Sequence, residues 1–210
     1  MKNFALAASL LLASSAALTS CYDRDRDPMP EYSSVGLVKA TLDPATDTVS
    51  YVPARAAPST NPTRPQVTFT VDLYSQRDVK ITKVYVYRTL RRGATTYTYS
   101  PRFFLEEVTT FPKTLSYNTQ ELLTGMMRVD ATSNPATAIP YIPGPASSPN
   151  RIFENDAFLF TYEYELENGK RIVLTPTSKT TVGTQTYETI TGSQILAPYA
   201  LVVPIIRPRN

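Results

Sequence analysis

The sequence predicts an all-β sandwich with one short helix in a long connection and Pro-rich loops. Aromatic side chains, which suit a pleated and half-buried surface, are frequent, with fourteen Tyr and eight Phe. Short runs of alternating apolar and polar residues recur along the chain between Pro-rich segments. Hydrophobic residues make up 42% of the 210 residues, which is enough to bury a core. The core must form without an internal disulfide, because the chain has only one Cys.

The composition argues against several kinds of chemistry. The chain has no His, which removes the commonest general base near neutral pH. Its single Cys has no Cys or His partner with which to form a zinc site. A formal net charge of +3 is too weak for nucleic acid, which usually requires basic residues clustered on one face. We therefore expect no metal, no cofactor and no nucleic-acid partner.

Residues 1–20 have the pattern of a secretion signal. Lys2 supplies a short positive start, and the Leu/Ala-rich run FALAASLLLASSAAL follows it. A membrane-spanning helix needs about 20 predominantly apolar residues, so permanent spanning is the weaker interpretation. Ordinary cleavage after Ser14 or Ala16 is the alternative, and it would leave Cys21 incidental.

The end of this segment, Leu18-Thr19-Ser20-Cys21, resembles a bacterial lipobox. In that pattern an aliphatic residue and two small ones precede a cysteine that becomes the mature N-terminus. The resemblance implies a thioether-linked diacylglycerol on Cys21 and an acylated α-amine, and more than one acyl chain gives stable anchoring. We therefore expect lipidation at Cys21, with the membrane as a partner through this lipid.

Residues 21–34 are predicted to be a flexible tether. The run DRDRD suggests the start of a calcium loop, but Pro28 and Ser34 stand where that loop needs Gly and a bidentate Glu. A solvated segment is the better interpretation. Acidic residues just after the lipidated cysteine also resemble the surface-export signal of Bacteroidota lipoproteins, although here arginines interrupt them.

Four runs predict the first strands of the sandwich. QVTFTVDLY (66–74) alternates between an apolar and a polar face. DVKITKVYVYRTL (78–90) becomes apolar on both faces from Val84 onward, as a central strand would. TTYTYS (95–100) and RFFLEEVTTF (102–111) supply two more candidates. The apolar face of the first run comprises Val67, Phe69, Val71 and Leu73.

The one helical signal is YNTQELLTGM (117–126). Asn118 or Thr119 can cap its start. Glu121 lies near the positive end of the helix dipole, and Gly125 can end the helix.

NDAFLFTYEYELENGKRIVLTP (155–176) predicts a hairpin. The apolar face of its first strand comprises Phe158, Phe160, Tyr162, Tyr164 and Leu166. Its polar face comprises Thr161, Glu163 and Glu165. A two-residue Asn168-Gly169 loop would put Ile172 and Leu174 on the polar face. A three-residue loop that includes Glu167 shifts the register by one residue and keeps them on the apolar face. We predict this loop, with Gly169 in a left-handed conformation and the pairs Leu166–Lys170, Glu165–Arg171, Tyr164–Ile172 and Tyr162–Leu174.

KTTVGTQTYETI (179–190) and QILAPYALVVPII (194–206) predict late strands. The Pro-rich segment 53–65 cannot be a central strand, and a second Pro-rich stretch forms an insert at about 131–150. We predict that the sandwich spans residues 35–178 and that a C-terminal strand segment, 179–210, packs on it.

Glutamates are the main candidates for catalysis, because paired carboxylates about 5–9.5 Å apart across a cleft can hydrolyse glycosides. They are Glu106, Glu107, Glu163, Glu165 and Glu167. A solvated strand face with Glu165 paired to Arg171 is the favoured interpretation, because surface charges are ordinary. Ser193 has no nucleophile elbow and no His to activate it, and nothing frames Ser178-Lys179 as a catalytic pair. We expect that the chain is not an enzyme.

The candidate ligand-binding residues lie in YVYRTLRRGATTYTYSPRFF. They are Tyr97, Tyr99, Arg102 and Phe103, with Arg91 and Arg92 nearby. Such side chains can stack on sugar rings or bases, and glycan binding predicts that the rings form a solvent-exposed row. The competing interpretation is a strand pair whose tyrosines belong to the core, since aromatic residues usually mark core packing.

Taken as a whole, the chain is similar to small lipoproteins of Bacteroidota. The similarity rests on LTSC, QVTFTVDLYSQRDVKITKVYVYR, TTFPKTLSYNTQELL and FENDAFLFTYEYELENGKRI, and it covers about 65–176. It implies an immunoglobulin-like or fibronectin-III-like domain of a kind commonly encoded beside outer-membrane nutrient-uptake systems. Asn155-Asp156 stands where the pattern has Gly-Asp before its strand.

We therefore expect a non-enzymatic binding or accessory module, lipid-anchored in the cell envelope at the outer membrane. Its partner would be a glycan or an envelope protein such as a transport complex. The alternative is a structural or adhesion component whose contacts are protein surfaces. A glycoside hydrolase that uses carboxylates alone ranks lowest.

Overall fold

The structure is a computed structural model that describes residues 36–51, 64–75, 79–93, 97–130, 137–140, 152–191 and 200–207. The chain divides into two compact units, Met1–Ser33 and Ser34–Asn210, and every described residue belongs to the second. The predicted signal segment, Cys21 and the tether therefore lie outside the described residues. In the described ranges no helix is both long enough and apolar enough to cross a membrane.

The described chain is an all-β, sandwich-like fold, as predicted, and its two larger sheets contain most of the strands. A three-stranded sheet has the order β1 (Leu37–Leu42), β3 (Gln66–Ser75), β7 (Lys113–Asn118). A seven-stranded sheet has the order β2 (Val49–Ser50), β14 (Ala200–Ile206), β10 (Ala157–Leu166), β4 (Ile81–Arg92), β5 (Thr98–Tyr99), with β11 (Arg171–Val173) beside β10 and β6 (Phe103–Val108) beside β4. Two-stranded pairs are formed by β8 (Met127–Asp130) with β9 (Thr137–Pro140) and by β12 (Thr177–Val182) with β13 (Gln185–Ile190).

The core lies between the inner faces of the two larger sheets. The rings of Phe69 on β3 and Phe160 on β10 meet with their centroids 4.7 Å apart, and both are fully buried. Val67 and Val71, which alternate with Phe69, are also fully buried, so the apolar face predicted for this strand is confirmed. Burial of these alternating side chains holds the sheets face to face.

Strand β10 is buried on both faces, which corrects the prediction of a solvated polar face. Thr161 is fully buried and Glu163 is only 4% exposed. The outer face of β10 is covered by a second apolar cluster, in which Leu159 packs with Ile190 of β13 and Ala200 of β14. Alternation along one strand cannot reveal such a cover, because a second layer of chain supplies it.

The C-terminal strand lies inside the main sheet. Strand β14 pairs antiparallel with residues 157–161 of β10 and parallel with β2. The C-terminal segment, which was predicted to pack on the sandwich, therefore contributes β14 to the seven-stranded sheet. The predicted boundary at residue 178 falls within β12. Strand β9 lies in the stretch that was predicted as a Pro-rich insert.

Helix α1 (Thr119–Leu123) is capped by Asn118, one of the two predicted residues, and it ends two residues before Gly125. Asn118 caps it: the Asn118 side chain accepts from the Glu121 N–H, and the Glu121 carboxylate accepts from the Asn118 N–H. Gly125 follows the helix with a φ of 74°. Arg88 of β4 adds a contact that the sequence did not reveal, since its guanidinium donates to the carbonyl oxygens of Glu121 and Thr124. The helix is thereby attached to the seven-stranded sheet.

The turn before β10 uses an asparagine in the conformation that glycine favours. Asn155 has a φ of 73°, in the left-handed region where Asn is more common than most residues. Asp156 then accepts a hydrogen bond from the Phe153 N–H at 2.8 Å and forms an ion pair with Arg92 at 3.5 Å. Asn155 thus supplies the left-handed residue that this turn requires before Asp156.

The predicted hairpin register is confirmed. Tyr164 pairs with Ile172 and Glu165 with Arg171. The Leu166 N–H donates to the Lys170 carbonyl at 2.9 Å, and Gly169 has a φ of 78°. The three-residue loop therefore forms, although β11 ends at Val173, one residue short of the predicted Tyr162–Leu174 pair.

Replacement of Gly169 tests this loop. An added Cβ would meet no atom within 4 Å, so any cost comes from the left-handed backbone itself. We expect Gly169→Ala to lower the free energy of unfolding by about 1 kcal/mol, and Gly169→Asn to lower it by less, because Asn tolerates this conformation. Urea denaturation of both variants measures the difference, and equal stability of the Ala variant and the wild type would contradict the assigned loop.

Candidate functional site

The four predicted ligand-binding residues are not brought together as an exposed row. Tyr97 is 37% exposed, and the Arg91 guanidinium lies 4.3 Å from the centre of its ring. Tyr99 packs against the second apolar cluster, and Phe103 packs against the main core. Arg102 is only 8% exposed. Ligand binding at these positions stays a prediction, and Tyr97 is the member most accessible to a ligand.

Arg102 instead belongs to a buried charged cluster that the sequence did not predict. We call it the Glu163 cluster, and its members are Tyr85, Tyr87, Arg102, Glu163, Glu165, Arg171 and Glu188. The Arg102 Nη2 atom donates to Glu163 and, at 2.6 Å, to Glu188 of β13. The Arg171 Nε atom lies 2.6 Å from the second oxygen of Glu163. Two arginines thus compensate one buried carboxylate.

Two tyrosines on β4 form the floor of the cluster. They lie on the outer face of the sheet because Tyr85 is directly opposite Glu163, and Tyr87 is two residues further along the same strand. The guanidiniums of Arg171 and Arg102 each lie 4.0 Å above a ring, Arg171 over Tyr85 and Arg102 over Tyr87. Burial, together with the nearby negative charge of Glu163, raises the pKa of Tyr87. The rings therefore hold the cations in place without supplying a second charge.

The ion pair expected between Glu165 and Arg171 is not formed, although the two residues are opposite each other in the ladder. Arg171 instead reaches diagonally to Glu163, while Glu165 accepts the Tyr85 hydroxyl at 2.8 Å. A buried carboxylate gains more from a cation than a partly solvated one does. This difference in burial explains why Arg171 pairs with Glu163 and not with Glu165.

The remaining candidate carboxylates are also engaged. Lys113 and Tyr117 both donate to Glu106. Glu107 pairs with Lys83 at 3.2 Å. The Glu167 carboxylate accepts the backbone N–H of residue 80 at 3.2 Å. No two of these glutamates are presented as a free pair across a cleft in the described part of the chain.

The structure lowers the pKa of Glu106. Burial alone would raise its pKa, but the hydrogen bonds from Lys113 and Tyr117 outweigh burial, so the pKa of Glu106 lies below its ordinary value. Burial and the hydrogen bond to Glu106 raise the pKa of Tyr117 well above its usual range. The pair therefore persists as carboxylate and phenol at neutral pH.

The other residues considered for catalysis or metal binding do not form a site among the described residues. Ser193 lies outside the described residues, and Ser178 and Lys179 are successive residues of β12, so they point to opposite faces. Among the described residues no group of three or more Asp, Glu, His or Cys could hold a metal ion.

An open concavity lies on the outer face of the three-stranded sheet. This polar groove has a volume of about 490 Å³, and its lining includes Lys39, Thr41, Thr68, Thr70, Asp72 and Thr114. A smaller cavity of about 180 Å³ lies beside Arg91 and Tyr97. The sequence showed the polar face of β3, but it did not show that β1 and β7 extend this face on both sides.

Comparison with known proteins identifies no relative. No protein-family model matches the chain, and neither a curated protein nor a solved structure matches it. Its function must therefore be inferred from its own residues and geometry.

The Glu163 cluster is tested by neutralising its carboxylate. Glu163→Gln leaves Arg102 and Arg171 without their shared anion, and we expect a loss of about 3 kcal/mol in the free energy of unfolding. The matched control is Glu154→Gln, which removes a surface pair with Arg207 at 3.6 Å and should cost less than about 1 kcal/mol. Chemical denaturation compares them, and equal losses would show that the cluster is not a buried brace.

The pH dependence of Glu106 gives a second test. Because its pKa is lowered in the folded state, its stabilising contribution is present above the unfolded pKa and is lost as the pH falls through the folded pKa. Lys113→Met should therefore cost up to about 1 kcal/mol at pH 7, a cost that shrinks in acid. Urea denaturation at pH 7 and pH 3 measures this. Lys170→Met is the control, because the Lys170 ammonium forms no ion pair among the described residues. An equal cost of Lys113→Met at both pH values would contradict the assignment.

Proposed function

We propose that this chain is a non-enzymatic module of the cell envelope, anchored by lipid at Cys21, that binds a glycan or assists an envelope complex. The proposal that the module is not an enzyme rests on the fact that its glutamates are bound by other side chains of the protein. Glu163, the most buried of them, lies between two guanidiniums, and its oxygens contact Arg102 and Arg171. A carboxylate held in this way braces the sheet and is not positioned to transfer a proton to a substrate.

The remaining glutamates support the same proposal. A glycosidase needs one carboxyl group as acid and a second as base or nucleophile, on opposite sides of a bound sugar. Here Glu106 and Glu107 bind lysines, and Glu165 binds the Tyr85 hydroxyl. These partners lie on β4 and β7, so the glutamates bind neighbouring strands of the protein itself. A hydrolase that uses these carboxylates alone is therefore the least favoured function.

The anchoring part of the proposal is supported by the order of segments along the chain. Leu18-Thr19-Ser20-Cys21 follows an apolar run, and the first described residue of the sandwich is at position 36. The intervening residues would separate the folded module from the lipid. We also propose, from the residues that resemble Bacteroidota lipoproteins, that the module is immunoglobulin-like and works at the outer membrane.

An adhesion role is the second candidate, and an exposed edge favours it. Strand β6 pairs only with β4 among the described strands, so its other edge has no strand partner there. Phe104 on this strand is 55% exposed, and Val173 on β11 is 53% exposed. Exposed edges and apolar side chains are features of surfaces that contact other proteins.

Replacement of the cysteine tests the anchor. In a bacterial host, Cys21→Ser should abolish incorporation of labelled palmitate and move the protein from the membrane fraction to the soluble fraction, because no acyl chain remains. Ser20→Ala, which keeps a small residue before the cysteine, is the control and should stay lipidated. Unchanged membrane association and unchanged mature mass in the Cys21→Ser variant would refute the anchor.

A further inference from the structure

The polar groove on the outer face of the three-stranded sheet contains a row of hydroxyl groups. Thr41, Thr70 and Thr114 lie directly opposite one another on three neighbouring strands. Adjacent strands are about 4.8 Å apart, so the row spans roughly 10 Å across the sheet. Hydroxyl groups spaced in this way present several hydrogen-bonding atoms to one extended ligand.

These hydroxyls keep hydrogen-bonding capacity for a ligand. The Oγ1 atoms of Thr70 and Thr114 are 3.1 Å apart and share one hydrogen bond. Each hydroxyl has one donor and two acceptor positions, so this pair retains one proton and several lone pairs. Thr41 is exposed, and its hydroxyl has no hydrogen-bond partner among the described residues. The row is thus only partly satisfied by the protein itself.

Two residues of opposite charge extend this face, and an exposed aromatic ring lies beyond them on β3. Lys39 lies directly opposite Asp72, and one oxygen of the Asp72 carboxylate accepts the Leu73 N–H at 2.7 Å, which leaves the other oxygen available. Tyr74 lies two residues beyond Asp72 on β3, at a β-bulge where Leu73 pairs with Val38 and Ser75 with Leu37, and it is 73% exposed. An exposed aromatic ring of this size offers a flat apolar surface on which the face of a sugar can stack.

We propose that this face is a glycan-binding site, with Tyr74 as the stacking platform and Asp72, Lys39 and Thr41 as hydrogen-bonding partners of the sugar hydroxyls. The proposal rests on the proposed function of the chain as a binding module. It names a ligand class, neutral polyhydroxylated chains, and a face that differs from the predicted ligand-binding residues around Tyr97.

The chemistry of the groove selects this ligand class. Its lining carries two carboxylates, Asp43 and Asp72, against the single ammonium of Lys39, so it offers no net attraction to a polyanion. Apolar side chains in the lining are limited to Leu42 and Pro44, which is too little for an apolar peptide. Hydroxyls, one carboxylate oxygen and an exposed ring together match the polar edges and apolar face of a sugar.

Tyr97 offers a poorer platform than Tyr74. One face of the Tyr97 ring is covered by the Arg91 guanidinium, and the adjacent cavity has a volume of only about 180 Å³. Tyr74 is twice as exposed and lies two residues beyond Asp72, which lines the groove of about 490 Å³. The two tyrosines therefore form a matched pair for the experiment.

Affinity electrophoresis of the full-length protein in detergent tests the proposal. The gels contain xylan, a mixed-linkage β-glucan, mannan or the acidic polygalacturonate as probes. We expect at least one neutral polysaccharide to retard the wild type. We expect Tyr74→Ala to weaken that interaction about tenfold, Asp72→Ala to weaken it severalfold, and Tyr97→Ala to leave it unchanged. Denaturation midpoints confirm folding, and Lys39→Ala replaces Asp72→Ala if the latter variant does not fold.

Three outcomes would overturn the site: no retardation of the wild type by any neutral probe, retardation that survives both Tyr74→Ala and Asp72→Ala, or retardation lost only in Tyr97→Ala. With palmitate labelling of Cys21 intact, each of these rejects the glycan site and leaves the lipid-anchored module standing. Loss of labelling with retained retardation would reject the anchor and leave the glycan site standing.

Discussion

The outer side of the sandwich depends on the compensation of one buried carboxylate, that of Glu163 in β10. A buried charge is costly unless cations and hydrogen bonds surround it, and removing one partner leaves the other uncompensated. Arg102 and Arg171, which approach Glu163 from different elements, supply the positive charge. Arg102 also binds Glu188, so the same cluster attaches the hairpin β12–β13 to the main sheet. The segment of Arg102, the strand of Arg171 and, through Arg102, the β12–β13 hairpin are thus all connected to Glu163.

The two larger sheets share a core but meet solvent differently. The outer face of the seven-stranded sheet is covered by the Glu163 cluster and by the packing of Leu159 with Ile190. The three-stranded sheet buries its inner face, with Phe69 against Phe160, and no comparable cover lies on its outer face among the described residues. Threonines and charged residues can therefore occupy that outer face at little cost. This asymmetry places the polar groove on the smaller sheet.

Features that depend on near neighbours were predictable from the sequence. The capping box of helix α1 follows from Asn118 and Glu121, three residues apart, and the hairpin loop follows from the faces on either side of Gly169. The burial of Glu163 was not predictable, because its cations lie 61 residues earlier and 8 residues later in the chain. The insertion of β14 beside β10 likewise depends on a long-range pairing that no local pattern encodes.

The sequence by itself determined the all-β class, the inner face of β3, the caps of helix α1 and the register of the hairpin at Gly169. Each of these follows from side-chain alternation or from the conformation of a few consecutive residues. Only the tertiary structure decided which polar faces are covered and which remain open. It buried Glu163 and left Thr114 exposed, although both lie on polar faces of alternating strands. The physical reason is that a strand specifies two faces, whereas the layer that packs on each face comes from distant parts of the chain.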